Sequence, residues 1–191
     1  FVPAGGDLQA ALNSAHPGDT IIVQAGATFS TSGSFLVPSG VTVQSSASLP
    51  TGRLNPATQG GSLAKLISTG GYPVIDTVAG GHDINLIGLD ISTNGLRYTP
   101  DLVELGYQAR TRAEMLAQRH FLIDRCFIHP AEVTATNLFP SVVERSSGRG
   151  IGIAASEVTV SNSYIAGFAG TYPANDANAG QNIDSYGIYS P

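Results

Sequence analysis

Ile84-Asn-Leu-Ile-Gly-Leu-Asp-Ile91 decides the fold, because two later stretches align with it without gaps: Phe121-Leu-Ile-Asp-Arg-Cys-Phe-Ile128 and Val158-Thr-Val-Ser-Asn-Ser-Tyr-Ile165. Each copy starts 37 residues after the one before, and its first, third and eighth positions are apolar. The fifth position is a glycine, an arginine (Arg125) or an asparagine, and it breaks the inward alternation by one residue. Glycine and asparagine tolerate left-handed backbone angles. We therefore predict two short strands joined by a sharp bend, at which Arg125 is the least usual occupant.

A short apolar strand precedes each copy, so each repeat has three strands. These upstream strands are Val74–Val78, Leu102–Leu105 and Gly150–Ile153, and a fourth appears at Tyr186–Tyr189. Repeats of roughly 20–50 residues are typical of solenoids, propellers and arrays. The strand character excludes a helical solenoid, and a propeller blade needs four antiparallel strands with hairpin turns, for which clear signals are missing. We predict stacked parallel coils, that is, an all-β, single-stranded parallel β-helix.

The N-terminal residues have the pattern of a helical cap. Asp7 is a good N-cap, and apolar residues follow it at helical spacing as far as Ala15. The turn His16-Pro-Gly-Asp19 ends this helix, and a strand follows at Thr20–Gln24. A short helix and one strand cannot form a core alone, so we expect them to cap the open end of the coils.

We predict a single β-helix domain over residues 1–191. The cap and the first strand occupy residues 1–28, and coils with inserted loops occupy residues 29–191. We interpret the last stretch, 185–191, as the first strand of a new coil, and we identify no polar cap at this end. Because an open solenoid end exposes unpaired strand edges, we expect either further coils or another chain to cover it.

Composition excludes several classes of protein. Charged residues make up 12% of the 191 residues, against a usual value of about 25%. The net charge is −5 and Lys65 is the only lysine, so we expect no nucleic-acid partner. No apolar run approaches the roughly 18 residues that a membrane span needs. Cys126 has no second cysteine to pair with and lies among apolar neighbours, so we predict a small buried side chain.

The stretches Asp7–Leu12, Pro17–Val23 and Val158–Ile165 together resemble the pectate-lyase-like superfamily of right-handed parallel β-helix proteins. The resemblance covers nearly the whole chain, and it is strongest to secreted bacterial members of poorly defined activity. It implies a right-handed coil and an extracellular or cell-surface location. The superfamily includes polysaccharide lyases, polygalacturonase-type hydrolases, phage tailspikes and adhesins, so the fold does not select among these functions. The paired aspartates and the Gly-His-Gly run of the hydrolases are missing from this sequence.

The resemblance also implies a binding groove on the outside of the coil, so outward residues of the upstream strands are candidates. Aligning Ile75 with Val103 places Asp76 beside Glu104, about 4.8 Å apart from strand to strand. Two stacked carboxylates can bind Ca²⁺, or they can act as acid and base, because like charges at this distance raise one pKa. The alternative is two solvated surface carboxylates.

Three further charged residues are catalytic candidates. Asp124 and Arg125 are adjacent in the middle copy, where they can form the base and calcium pair of a lyase, or a surface ion pair that fills the bend. Arg149 opens the third upstream strand, close to the expected groove. It can bind an acidic sugar bidentately, or it can be a solvated arginine.

The loop of residues 173–184 is rich in side-chain oxygens. Asp176, Asn178 and Asp184 are candidate calcium ligands, although their spacing is not that of an EF-hand. Aromatic residues flank the loop and are candidates for stacking on sugar faces: Tyr172, Tyr186 and Tyr189. The alternative is a turn-rich loop whose Asn and Asp side chains bond to its own backbone.

Two hypotheses follow, and we rank them nearly level. The first is an extracellular protein that engages polysaccharide, as a calcium-dependent lyase on acidic glycans. The second is a non-enzymatic structural surface or filament protein, assembled end to end through the uncapped C-terminal end.

Overall fold

The computed structural model describes residues 1–94, 99–106, 109–131 and 147–168, together with the backbone of residues 170–171, 182–183 and 186–189. In chain order the strands are β1 (Thr20–Val23), β2 (Thr28–Thr31), β3 (Phe35–Val37), β4 (Thr42–Ser45), β5 (Ala64–Ser68), β6 (Ile75–Thr77), β7 (Ile84–Ile87), β8 (Leu89–Thr93), β9 (Thr99–Leu105), β10 (Arg119–Asp124), β11 (Phe127–Ile128), β12 (Ser147–Ile153), β13 (Ser156–Ser161), β14 (Tyr164–Ile165), β15 (Gly170–Thr171), β16 (Asn182–Ile183) and β17 (Tyr186–Tyr189).

These strands form three five-stranded parallel sheets that the chain visits in turn. The first sheet has the order β1-β4-β7-β10-β13, the second β2-β5-β8-β11-β14, and the third β3-β6-β9-β12-β17. β15 and β16 form a separate antiparallel pair. In each large sheet a strand pairs with its equivalent in the next repeat. The protein is therefore β-rich, and its arrangement is compatible with a parallel β-helix or another solenoid.

The register agrees with the predicted repeat. Ile84 pairs with Phe121, and Phe121 pairs with Val158, as the gap-free alignment requires. The predicted upstream strands form the third sheet, in which Ile75 pairs with Val103. Equivalent side chains of successive repeats therefore stack directly on one another.

The bend at the fifth position of each copy is left-handed in all three copies. Gly88, Arg125 and Asn162 have φ angles of 62°, 51° and 50°. A left-handed arginine costs about 1–2 kcal/mol of backbone strain. Two hydrogen bonds hold Arg125 there. Its Nε donates to Asp124 Oδ2 at 2.6 Å, and its Nη1 donates to the carbonyl of Pro50 at 3.3 Å.

The core lies between the three sheets, and the predicted helix covers one end of it. Helix α1 (Leu8–Asn13) begins at Asp7, whose side chain accepts a hydrogen bond from the amide of Ala10. Leu8 and Leu12 are buried against the first repeat. Cys126 is fully buried, as predicted, and this burial raises the pKa of its thiol to about 12, so it is not an available nucleophile.

Two short helices lie in the inserts between strands. Helix α2 (Pro56–Gln59) and a 3₁₀ turn (Gly60–Ser62) come between β4 and β5. Helix α3 (Arg112–Ala117) comes between β9 and β10, and Thr111 and Glu114 form a capping box at its start. In the described part of the chain, no helix has the length and apolarity that a bilayer crossing requires.

The stacked core predicts a sharp difference between inward and outward residues of the first sheet. Ile123 is fully buried and is in register with Leu86 and Val160. We expect Ile123→Ala to lower the free energy of unfolding in urea by about 2–5 kcal/mol, because it leaves a cavity. The control is Thr159→Ala, an exposed position in β13, with an expected change within about 0.5 kcal/mol. Equal losses for both variants would contradict a shared core.

Candidate functional site

The outer face of the third sheet brings together two of the predicted catalytic residues. Asp76 in β6 pairs with Glu104 in β9, and Glu104 pairs with Gly152 in β12, as the sequence alignment predicted. Leu36 in β3 precedes Asp76 in the same row, and its side chain is 45% exposed. The acidic pair therefore lies in the middle of a row that runs across the sheet.

Asp76 is the most perturbed carboxyl group of this face. Asp76 is 5% exposed to solvent, and its Oδ1 accepts a hydrogen bond from the backbone amide of Thr77 at 2.7 Å. Burial and, to a lesser extent, the charge of Glu104 raise the pKa of Asp76 to about 7, although the hydrogen bond from the Thr77 amide acts to lower it. Asp76 can therefore carry a proton near neutral pH, which an ordinary aspartate does not.

A second row of this face holds an ion pair. Arg149 in β12 is in register with Asp101 in β9, and its Nε and Nη2 atoms lie 2.8 Å from Asp101 Oδ1 and Oδ2. Burial raises the pKa of Asp101, and the Arg149 charge and hydrogen bond oppose that rise. A Cβ atom on Gly152 would lie 2.5 Å from Asp101 Oδ1, so only glycine leaves room for this carboxylate.

Glu104 lies between these groups. Burial raises its pKa, the charge of Asp101 adds to the rise, and the charges of Arg149 and Arg110 oppose it. We call the set Asp76, Asp101, Glu104 and Arg149 the third-sheet site. Asp76 can be protonated near neutral pH. The charges of two arginines favour the ionised form of Glu104 beside it. The carboxylate of Asp101 holds Arg149 in place. Such a set can donate and accept protons and can attract a cation or a polar ligand.

The predicted substrate-binding tyrosines are placed only by their backbone. Tyr186 in β17 is in register with Arg149, and Tyr189 is in register with Gly152, so both continue the rows of the third-sheet site. The other loop candidates, Tyr172, Asp176, Asn178 and Asp184, lie outside the described residues.

Asp124 and Arg125 lie elsewhere, at the bend between the first and second sheets. Asp124 also accepts hydrogen bonds from Ser161 Oγ at 2.8 Å and from Asn162 Nδ2 at 3.1 Å. Although burial favours the neutral acid, these bonds and the Arg125 contact lower the pKa of Asp124. The geometry is that of an ion pair that ties two repeats together at the bend, and the structure does not bring it to the third-sheet site.

Two further charged clusters were not predicted from the sequence. On the second sheet, Asp90 is buried between Lys65 Nζ at 3.3 Å and His129 Nε2 at 3.0 Å. The other cluster lies where β7, β10 and β13 begin: Asp83 stands just before β7, His120 is in β10 and Glu157 is in β13. There, His120 contacts the carboxylates of Asp83 and Glu157, which stand 37 residues before and after it.

These residues supply only some of the oxygen ligands that a calcium ion needs. Within the described residues, no group of three or more His, Cys, Asp and Glu side chains is arranged to hold a metal ion. At the third-sheet site Asp101 is already paired with Arg149, so Asp76 and Glu104 are the two carboxylates that a cation can use.

Asp101 is the site residue that sequence reasoning missed. The predicted strand began at Leu102 and so left out Asp101, whereas β9 begins at Thr99. A signal was present, because Asp101 and Arg149 both stand two residues before the aligned positions Val103 and Ile151 and carry opposite charges.

Comparison of the chain with protein-family models, with curated proteins and with solved structures finds no match. The functional argument therefore rests on the geometry of the third-sheet site and on the sequence pattern.

The raised pKa of Asp76 predicts a pH-dependent stability. Its folded-state pKa of about 7 lies above the ordinary value of 3.8, so the folded chain holds this proton more tightly than the unfolded chain does. Stability should therefore fall as the pH rises from about 4 to about 7. Asp76→Asn removes this contribution, so the variant should gain up to about 4 kcal/mol relative to the parent over that range in urea unfolding.

Glu104→Gln is the comparison variant for this measurement. It removes the neighbouring charge but leaves Asp76 buried, so it should weaken the pH dependence without abolishing it. Parallel stability curves for the parent and Asp76→Asn would show that Asp76 titrates normally.

Proposed function

We propose that this chain is an extracellular, right-handed parallel β-helix protein of the pectate-lyase-like kind, which binds acidic polysaccharide on the outer face of the third sheet and cleaves it by β-elimination. The observation that carries the proposal is the pairing of Asp76 with Glu104 on adjacent strands, with the pKa of Asp76 raised to about 7. Raised pKa values of paired carboxyl groups are typical of acid–base sites. The right-handed coil is supported by the strong preference of parallel strand connections for that hand.

The two carboxyl groups match the two proton transfers of an elimination. A base removes the proton from the carbon next to the uronate carboxyl group, the glycosidic C–O bond breaks, and a C=C bond forms in the sugar ring. Glu104, whose charged form Arg149 and Arg110 favour, acts as the base. Asp76, in its protonated form, gives its proton to the departing glycosidic oxygen. Exchange with water then restores both groups.

The third-sheet site also offers an arginine to an acidic glycan. Asp101 fixes the guanidinium of Arg149 on the same face as the acidic pair, and we propose that this guanidinium donates hydrogen bonds to a uronate carboxylate. Tyr186 and Tyr189, which continue both rows, are the proposed positions for sugar stacking.

Asp76 and Glu104 are the residues that would hold a calcium ion at this site, through their carboxylate oxygens. The chemistry it would supply is neutralisation of the uronate charge. Asp76 cannot hold a proton and a cation together, because a calcium-bound carboxylate is ionised. Activity that a chelator abolishes therefore assigns the acidic pair to calcium, and activity that a chelator leaves unchanged assigns it to acid–base catalysis.

The activity test uses a panel of polyuronates and follows the absorbance of the unsaturated product. We expect activity on at least one glycan, and a loss of about 10²–10⁴-fold for Asp76→Asn or Glu104→Gln. The charge-matched control is Asp19→Asn, at an exposed turn of the cap, which should retain activity. New reducing ends without that absorbance would indicate hydrolysis instead, and no cleavage of any glycan would overturn the proposed activity.

A second candidate function, end-to-end assembly, is favoured by one observation. β13 and β14 are the outermost strands of their sheets in the described part of the chain, and their core residues are only partly buried. Val160 and Ile165 are examples, whereas their equivalents Ile123 and Ile128 are fully buried. Because helix α1 covers the opposite end of the core, we propose that two copies join through this face as a dimer, and a head-to-tail filament is less favoured.

The dimer proposal predicts a concentration-dependent mass in light scattering. Val160→Asp should give monomers, since it places a charge on the joining face, while Thr159→Asp, on the outer side of the same strand, should not. Monomers of the parent at all concentrations would rule out this assembly.

A further inference from the structure

The N-terminal cap covers two of the three strand edges that the first repeat presents. Val2 lies beside β1: its amide donates to the carbonyl of Ile22 at 2.8 Å, and its carbonyl accepts from Gln24 at 3.0 Å. The Gln9 side chain covers β3, because its Oε1 accepts from the amide of Leu36 at 2.9 Å. Its Nε2 lies 3.4 Å from the Leu36 carbonyl. Both edges are thereby paired without a further strand.

The third edge, that of β2, has no such cover among the described residues. The carbonyl of Ala27 accepts a hydrogen bond from Lys65 in β5, and that of Thr31 accepts one from Thr69, which directly follows β5. Alternate residues of β2 therefore face that strand. Thr28 and Ser30 face the other way and are exposed. β2 pairs with no other described strand, and no described group bonds to the backbone amide or carbonyl of Thr28 or Ser30.

A groove runs along this open edge, between β2 and the loop that leads into α1. Its volume is about 550 Å³, with Gly5, Gly6 and Asp7 on the cap side. The side chains of Phe29 and Phe35 line it from the core side, and both are nearly fully buried. The groove thus offers hydroxyl groups, one carboxylate and an apolar floor beside a row of unpaired backbone groups.

We propose that the edge of β2 binds an extended peptide of a partner protein, which adds to the second sheet as a further strand. Unpaired amides and carbonyls at every second residue are complementary to another strand, and a sugar ring does not offer that repeat. The four residues of β2 limit the paired length to roughly 13 Å. Asp7 and the net charge of −5 favour a peptide that carries lysine or arginine.

This site is independent of the third-sheet site. It lies on a different sheet and in the first repeat, and it uses backbone groups where the third-sheet site uses carboxylates. Loss of peptide binding and loss of glycan cleavage are therefore separate outcomes.

The test measures amide hydrogen exchange by NMR with a synthetic probe peptide. The probe has the sequence of residues 62–70, Ser-Leu-Ala-Lys-Leu-Ile-Ser-Thr-Gly, with blocked termini, because it contains β5, the strand that pairs with the other edge of β2. Bound probe should slow exchange at Thr28 and Ser30 by at least about tenfold and leave Phe29 and Thr31, which already face β5, unchanged.

Two variants at one position separate backbone pairing from side-chain recognition. Ser30→Pro removes an amide that points away from β5, so the fold should persist while the peptide no longer binds. Ser30→Val removes only the hydroxyl group and should still bind. The proposal is overturned if saturating probe protects neither amide, if Ser30→Val loses binding as Ser30→Pro does, or if both amides are already protected in the free protein.

Discussion

The stacking of each repeat on the next in parallel register is the constraint on which the rest of the structure depends. Equivalent residues of successive repeats lie about 4.8 Å apart and form a column. The size and polarity of one residue therefore restrict the residues above and below it in that column. The column Leu86, Ile123 and Val160, which faces the core, is apolar in all three repeats. The bend at the fifth position has a left-handed angle in all three copies, including the one in which Arg125 occupies it.

The same constraint acts on charge, because like charges in an outward column would repel along its length. The described charges mostly meet it by pairing with opposite charges on the neighbouring strand: Arg149 with Asp101, and Lys65 with Asp90. Asp76 beside Glu104 is the departure, since two carboxylates are adjacent and one of them is buried. This adjacency of two carboxyl groups, one of them buried, is why we assign function to the third-sheet site.

The repeat was predictable from the sequence because the apolar columns of the first and second sheets recur every 37 residues. The pairing of Asp76 with Glu104 does not follow that interval, and it was predictable because the apolar residues Ile75 and Val103 before them could be aligned. Asp101 was not predictable by alternation. Leu102 and Val103 both point into the core, so the strand changes phase between them, and a pattern of period two stops at Leu102. The cluster of His120 with Asp83 and Glu157 was not predicted either, because the apolar pattern does not extend to these three residues. Whether side chains of neighbouring columns touch depends on their lengths, and the apolar periodicity of the sequence carries no information about that.

Gly152 shows how these parts depend on one another. It follows Asp76 and Glu104 in their row, and the absence of a side chain there leaves the space that the carboxylate of Asp101 occupies. Asp101 in turn holds Arg149, whose charge favours the ionised form of Glu104. Any side chain at position 152 would displace Asp101 and, with it, the arginine. The acidic pair therefore depends on Gly152, which has no functional side chain of its own. The third-sheet site is formed jointly by three adjacent strands of the sheet, β6, β9 and β12.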